Sequence, residues 1–184
     1  MKRRAYFKGR QASNKHSSGH TNVQQNELLR LYDAGDMKGL DKLATEITKT
    51  DRRQQLAWKL LAIAKIRQAE YGSALAVGQK ALKLNPADPD CHNNLGDIFK
   101  HTGEFVNAEQ CYRNAIRIAP QVARFHSNLG FILGTRGSVN EAISEYNAAL
   151  KLQPEDVETI TNLGILLKDV GKLEDAAGLL RKAI

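Results

Sequence analysis

Asn94, Asn128 and Asn162 stand 34 residues apart, and Leu-Gly follows each of them. A carboxamide has both a donor and an acceptor, so it can pair with the N–H and the C=O of a single peptide unit. A row of such groups would recognise backbone and tolerate many side chains. Asn is also a poor helix former, so its return at one phase asks for a reason. The competing reason is architectural, an amide bonding to a neighbouring helix and holding the frame together. Both readings stand at this point.

Other groups offer less chemistry. Cys91 and His92 are adjacent, so on a helix they point about 100° apart and share a ligand poorly. His16 and His20 have the four-residue spacing of metal ligands, but within a polar, unpatterned segment. The glycines recur at a long fixed period and follow no strand pattern, so they make no phosphate loop. No cofactor, metal site or catalytic constellation is expected, and the chain by itself is read as not an enzyme. Cys91 and Cys111 are too few for a disulfide framework and read as reduced thiols.

The net charge of +7 has to be located before it is interpreted. Lys2, Arg3, Arg4, Lys8, Arg10 and Lys15 fall within the first 20 residues, which hold no acid. The remaining chain is close to neutral, so a basic nucleic-acid-binding domain is disfavoured. The segment "MKRRAYFKGRQASNKHSSGH" has almost no apolar pattern and reads as a disordered basic tail, residues 1–20. It lacks the apolar stretch of a secretory signal. No apolar run is long enough for a membrane span, and a cytoplasmic location is expected.

The elements that must position the asparagines repeat with them. Gly96, Gly130 and Gly164 form one series, and Gly35, Ala69, Gly103, Gly137 and Gly171 a second. Ala74, Ala108, Ala142 and Ala176 form a third, Ala81, Ala115, Ala149 and Ala183 a fourth, and Pro86, Pro120 and Pro154 close each unit. Each unit holds two helical stretches, for example Asp90 to His101 and Val106 to Ile118. Gly103 offers a left-handed helix end, and Pro120 stops the second helix. Gly in a helix interior costs about 1 kcal/mol relative to Ala, so Gly96, Gly130 and Gly164 imply close approach of the paired helix. Ala at the start of the second helix is the expected counterpart. Leu95, Leu129 and Leu163 with Phe99, Leu133 and Leu167 fill the space between helices, and Tyr112, Tyr146 and Leu180 pack from the second helix.

The period, the Leu-Gly of the first helix, the two alanines of the second and the closing proline resemble tetratricopeptide repeats. The resemblance covers residues 89–184 specifically and 55–88 through Trp58, Ala62, Ala74, Ala81 and Pro86. Across 21–54 only Leu31, Gly35, Leu40, Ala44 and Ile47 keep phase, and Arg52 stands where Pro is expected. It implies an all-α, right-handed superhelical solenoid of antiparallel helix pairs with about five repeats. The divisions are a divergent repeat 21–54, then 55–88, 89–122, 123–156 and a truncated 157–184. Ile184 falls before the last turn of its helix, so the chain is expected to continue in a longer protein.

In this family the first helices line a concave groove. The resemblance places Asn94, Asn128 and Asn162 there, with Asp90, Arg124 and Glu158 and with Asp97, Phe131 and Ile165. Lys100, His101, Thr135, Lys168 and Asp169 stand beside them. The charges alternate in sign, and the Lys, Asn and Arg set that binds chaperone C-terminal carboxylates is not assembled. The row resembles the asparagine ladder in the tetratricopeptide arm of the protein O-linked N-acetylglucosamine transferases, which holds substrates extended. The implied partner is a protein or an extended peptide, bound by the N-terminal arm of a larger protein such as a glycosyltransferase. Two alternatives remain: a stand-alone or self-associating scaffold, and a nucleic-acid-associated protein acting through its basic tail.

Overall fold

The computed structural model describes residues 19–181. The expectations for the tail to residue 18, the His16–His20 pair, Ala183 and the Leu180 side chain fall outside that description. Among the described residues there are ten α-helices and no strand. They form two compact units, one ending at Pro86 and the other beginning at Ala87.

The first unit contains α1 (Gly19–Ala34), α2 (Met37–Thr50), α3 (Gln55–Arg67) and α4 (Tyr71–Leu84). Leu28, Leu40, Ala44, Ile47, Ala57 and Leu60 form its core. Lys65 on α3 reaches Asp41 of α2 at 2.8 Å and Glu70 at 2.9 Å. The divergent turn before α3 has its own lock: the Trp58 indole N–H donates to the Arg52 carbonyl at 3.0 Å. A proline there would offer the same carbonyl, so Arg52 is accommodated where the repeat pattern has Pro.

The second unit contains α5 (Pro89–His101), α6 (Phe105–Ile118), α7 (Ala123–Thr135), α8 (Val139–Leu152), α9 (Val157–Asp169) and α10 (Leu173–Arg181). Each helix packs on the next, and α7 also touches α9. The helix starts are chemically marked. Asp88 accepts from the Asp90 and Cys91 N–H groups ahead of Pro89, and Asp156 accepts from the Thr159 N–H, both satisfying donors that the first turn leaves open.

The turns inside the pairs show why the second glycine series exists. Gly35, Ala69, Gly103, Gly137 and Gly171 all have φ between 60° and 83°. In the third pair Gly103 N–H bonds to Lys100 C=O and Glu104 N–H to Phe99 C=O. This double closure of the helix end demands a left-handed residue. Ala69 holds the same geometry without the freedom of glycine.

The first glycine series answers to a different neighbour from the one expected. A Cβ at Gly96 would lie 2.6 Å from Tyr112 Cε1, and one at Gly130 would lie 3.0 Å from the Tyr146 ring. Close approach is real, but the ring two turns into the second helix fills the gap, not the alanine at its start. Ala108 and Ala142 are buried in the same core. Tyr112 and Tyr146 are core residues as expected, 0% and 3% exposed.

Candidate functional site

α5, α7 and α9 carry the residues expected to act, and hydrogen bonds between them show that these helices lie side by side. Asn128 Nδ2 on α7 donates to Asn93 Oδ1 on α5 at 2.9 Å. Ser127 Oγ on α7 and Thr159 Oγ1 on α9 are hydrogen-bonded at 2.8 Å, in a buried setting. Arg124 of α7 forms an ion pair with Asp90 of α5, and its guanidinium stands 4.6 Å from the Phe125 ring centroid.

The asparagine row is not uniform in its surroundings. Asn94 is only 4% exposed, whereas Asn128 and Asn162 are half-buried. One turn beyond them, Phe131 is 42% and Ile165 53% exposed. These two apolar side chains occupy equivalent positions on neighbouring repeats. Glu158, Lys168, Asp169, Thr135 and His101 are all exposed.

Asp97 is the polar centre of α5. Tyr112 OH donates to its Oδ1 at 2.7 Å, and Asn93 Nδ2 donates to its Oδ2 at 3.2 Å. Lys100 Nζ stands 3.3 Å from Oδ1 and 5.8 Å from the Phe131 ring centroid. Burial, followed by the negative charge of Asp97, pushes the Tyr112 phenol well above its ordinary value, so it remains a donor throughout the physiological range. Burial likewise raises Tyr146, with the charge of Glu158 adding to it. Asn93 is a participant that the recurrence of identical residues does not reveal. Its phase reads Asn93, Ser127, Thr161, small polar residues of three types, and that shared polarity was the available signal.

Away from this face, Glu109 on α6 is 7% exposed and forms ion pairs with Arg113 of its own helix and Arg136 at the end of α7. Arg113 also reaches Glu141 of α8 at 3.1 Å. Among the described residues no group of three His, Cys, Asp or Glu could hold a metal ion. No helix among them is long and apolar enough to cross a membrane.

Comparison with known proteins bears on the helical repeats that carry these residues. Residues 89–122 and 123–156 each match a family model described as a tetratricopeptide repeat, the same limits as two of the expected units. No curated protein sequence matches the chain. Among solved structures, MamA of Desulfovibrio magneticus RS-1 is similar with a TM-score of 0.77 and 19% identity, over 91% of this chain and 95% of that one. A thermophilic tetratricopeptide protein of Thermus thermophilus gives 0.74 and 20%, over 88% and 89%. YrrB, described as a tetratricopeptide protein with an unusual peptide-binding site, gives 0.68 and 19%, over 88% and 83%. At these identities the likeness concerns the fold. The chain therefore carries tetratricopeptide repeats, and its all-helical fold is that of tetratricopeptide solenoid proteins.

Proposed function

We propose that the second unit binds an extended segment of a partner protein along α5, α7 and α9. The observation that carries the proposal is the pairing of half-buried Asn128 and Asn162 with exposed Phe131 and Ile165 one turn further along the same helices. Neighbouring helix layers stack about 10 Å apart, and an extended peptide advances about 3.3 Å per residue. Equivalent asparagines then meet roughly every third residue of the strand. The amides take backbone, and Phe131 and Ile165 take apolar side chains. Arg124 and Lys100 are paired with Asp90 and Asp97, so the face does not select one sign of charge. YrrB, which shares the fold, is described as having a peptide-binding site.

In its finer form the unit is the substrate-holding arm of a larger protein such as a glycosyltransferase, a reading supported by the asparagine row. A scaffold that self-associates through Phe131 and Ile165 is the second reading, favoured by their exposure. The test is Asn128→Ala with Asn162→Ala in the full chain, read against an array of unstructured 12-residue peptides of mixed sequence. Binding should weaken across the array while helicity is retained. Unchanged affinity would make the asparagines framework. Concentration-dependent association lost in Phe131→Asp, with peptide binding absent, would favour the scaffold.

A further inference from the structure

We infer that Asp97 presets the Asn128 carboxamide, so that Asn128 meets a bound strand with its oxygen foremost. The inference rests on the peptide-binding reading above and deepens it by separating one member of the row from the others. An ionised carboxylate only accepts hydrogen bonds. Asn93 therefore turns its NH2 toward Asp97 Oδ2, 3.2 Å away. Its oxygen faces the opposite side, where it too can only accept. Asn128 stands there at 2.9 Å and must present an N–H. With its nitrogen turned to Asn93, the Asn128 oxygen is turned away from it.

Donation thus runs in one direction, from Asn128 to Asn93 to Asp97. Reversing it would bring the Asn93 oxygen against a carboxylate oxygen and leave two acceptors facing each other. Tyr112 OH, at 2.7 Å from Oδ1, holds the carboxylate at the end of the chain. The next repeat has no such anchor. Ser127 and Phe131 stand where Asn93 and Asp97 would be, and Ser127 is engaged by Thr159. Asn162 thus lacks the relay that orients Asn128. A group fixed before binding loses less freedom on binding, so Asn128 contributes more than Asn162 to strand affinity.

The experiment uses the full chain and has two readouts. The first is the side-chain amide resonance of Asn128 in the free protein. Asp97→Asn lets Asn93 turn over, so this resonance should shift and its exchange with water should quicken. Tyr112→Phe removes one of the two partners of Oδ1 but leaves Lys100 beside it and the charged carboxylate facing Asn93, so the resonance should stay in place, which controls for general loosening. The second is affinity for the mixed 12-residue peptide array. Asp97→Asn and Asn128→Ala should each weaken binding roughly threefold to tenfold, the range of one hydrogen bond. Their combination should be no worse than Asn128→Ala alone, and Asn162→Ala should cost less. An unmoved Asn128 resonance in Asp97→Asn, or effects that multiply in the double variant, overturns the inference and leaves the binding face intact. A shifted resonance with full affinity in Asn128→Ala instead removes Asn128 from the binding face, and the inference falls with that reading.

Discussion

Gly96→Ala weighs two opposing effects whose sizes the structure separates. Replacing a helix-interior glycine by alanine gains about 1 kcal/mol of backbone propensity. Against this, the new methyl at Gly96 would sit 2.6 Å from Tyr112 Cε1 and 2.8 Å from Cδ1. Carbon atoms meet comfortably at about 3.5–4.0 Å, so the ring must retreat by about 1 Å. It has nowhere easy to go, being fully buried and held through its hydroxyl by Asp97. Overpacking of this kind costs about 1–3 kcal/mol, and the tethered ring puts Gly96 toward the upper end. The net expectation is a loss of about 1–2 kcal/mol, or roughly 2–8 °C in Tm for a chain of this size. Gly130→Ala is the internal comparison. Its methyl would lie 3.0 Å from the Tyr146 ring, and the residue in place of Asp97 is Phe131, which offers that hydroxyl no acceptor. There the two effects come close to cancelling. The assay is thermal unfolding followed by circular dichroism, with Tyr112→Leu added to Gly96→Ala to open the gap. The pair should then couple favourably. A Gly96→Ala protein as stable as the parent would refute the argument that the tyrosine excludes a side chain there.

Three further outcomes are expected. Ala69 sits at φ 60°, where a Cβ costs about 1–2 kcal/mol, so Ala69→Gly should stabilise by about 0.5–1 kcal/mol after the greater freedom of unfolded glycine is subtracted, read as a raised Tm. Glu109→Gln should destabilise by about 1–2 kcal/mol because two arginines lose their shared carboxylate, discounted since both arginines can turn toward water; added salt should narrow the difference in unfolding by urea. Burial pushes the Cys111 thiol up from 9.0 to about 11, so the folded state holds that proton more tightly than the unfolded chain. Its contribution is complete below pH 9 and is lost as pH rises toward 11, and Tm should fall over that window and fall less in Cys111→Ser.

The fold was legible because each repeated residue type answers to a backbone or packing need that sequence expresses directly. Five positions require left-handed backbone, and four of them are glycine. Buried phases such as Leu95, Leu129 and Leu163 are apolar on every turn that faces a neighbour. The limits of residues 89–122 and 123–156 follow from the same period. The partner of Gly96 was not legible, because a missing Cβ says that something is close but not which element supplies it. A ring reaching across from mid-helix and an alanine backbone at the helix start leave the same mark in the sequence. The polar face was legible only as a set of positions. Which amide donates to which depends on what stands beside it, and Asn93 entered through a neighbour, Asp97, one turn along its own helix.

That dependence changes what a repeated residue means. Asn94, Asn128 and Asn162 are identical in type and phase, yet the first is enclosed, the second is tied into a directed chain of donors, and the third has Ser127 and Phe131 where that chain would continue. The period sets where each side chain emerges, since helix geometry repeats with it. Its chemistry is set by residues that do not repeat, in this case one carboxylate and one aromatic ring at the same phase. On the peptide-binding reading, a ligand laid along the row would therefore meet unlike surroundings at Asn128 and Asn162 and would not reach the enclosed Asn94 in the same way. Affinity lost at Asn128 and Asn162 should differ for that reason, even though a repeat alignment makes the two positions equivalent.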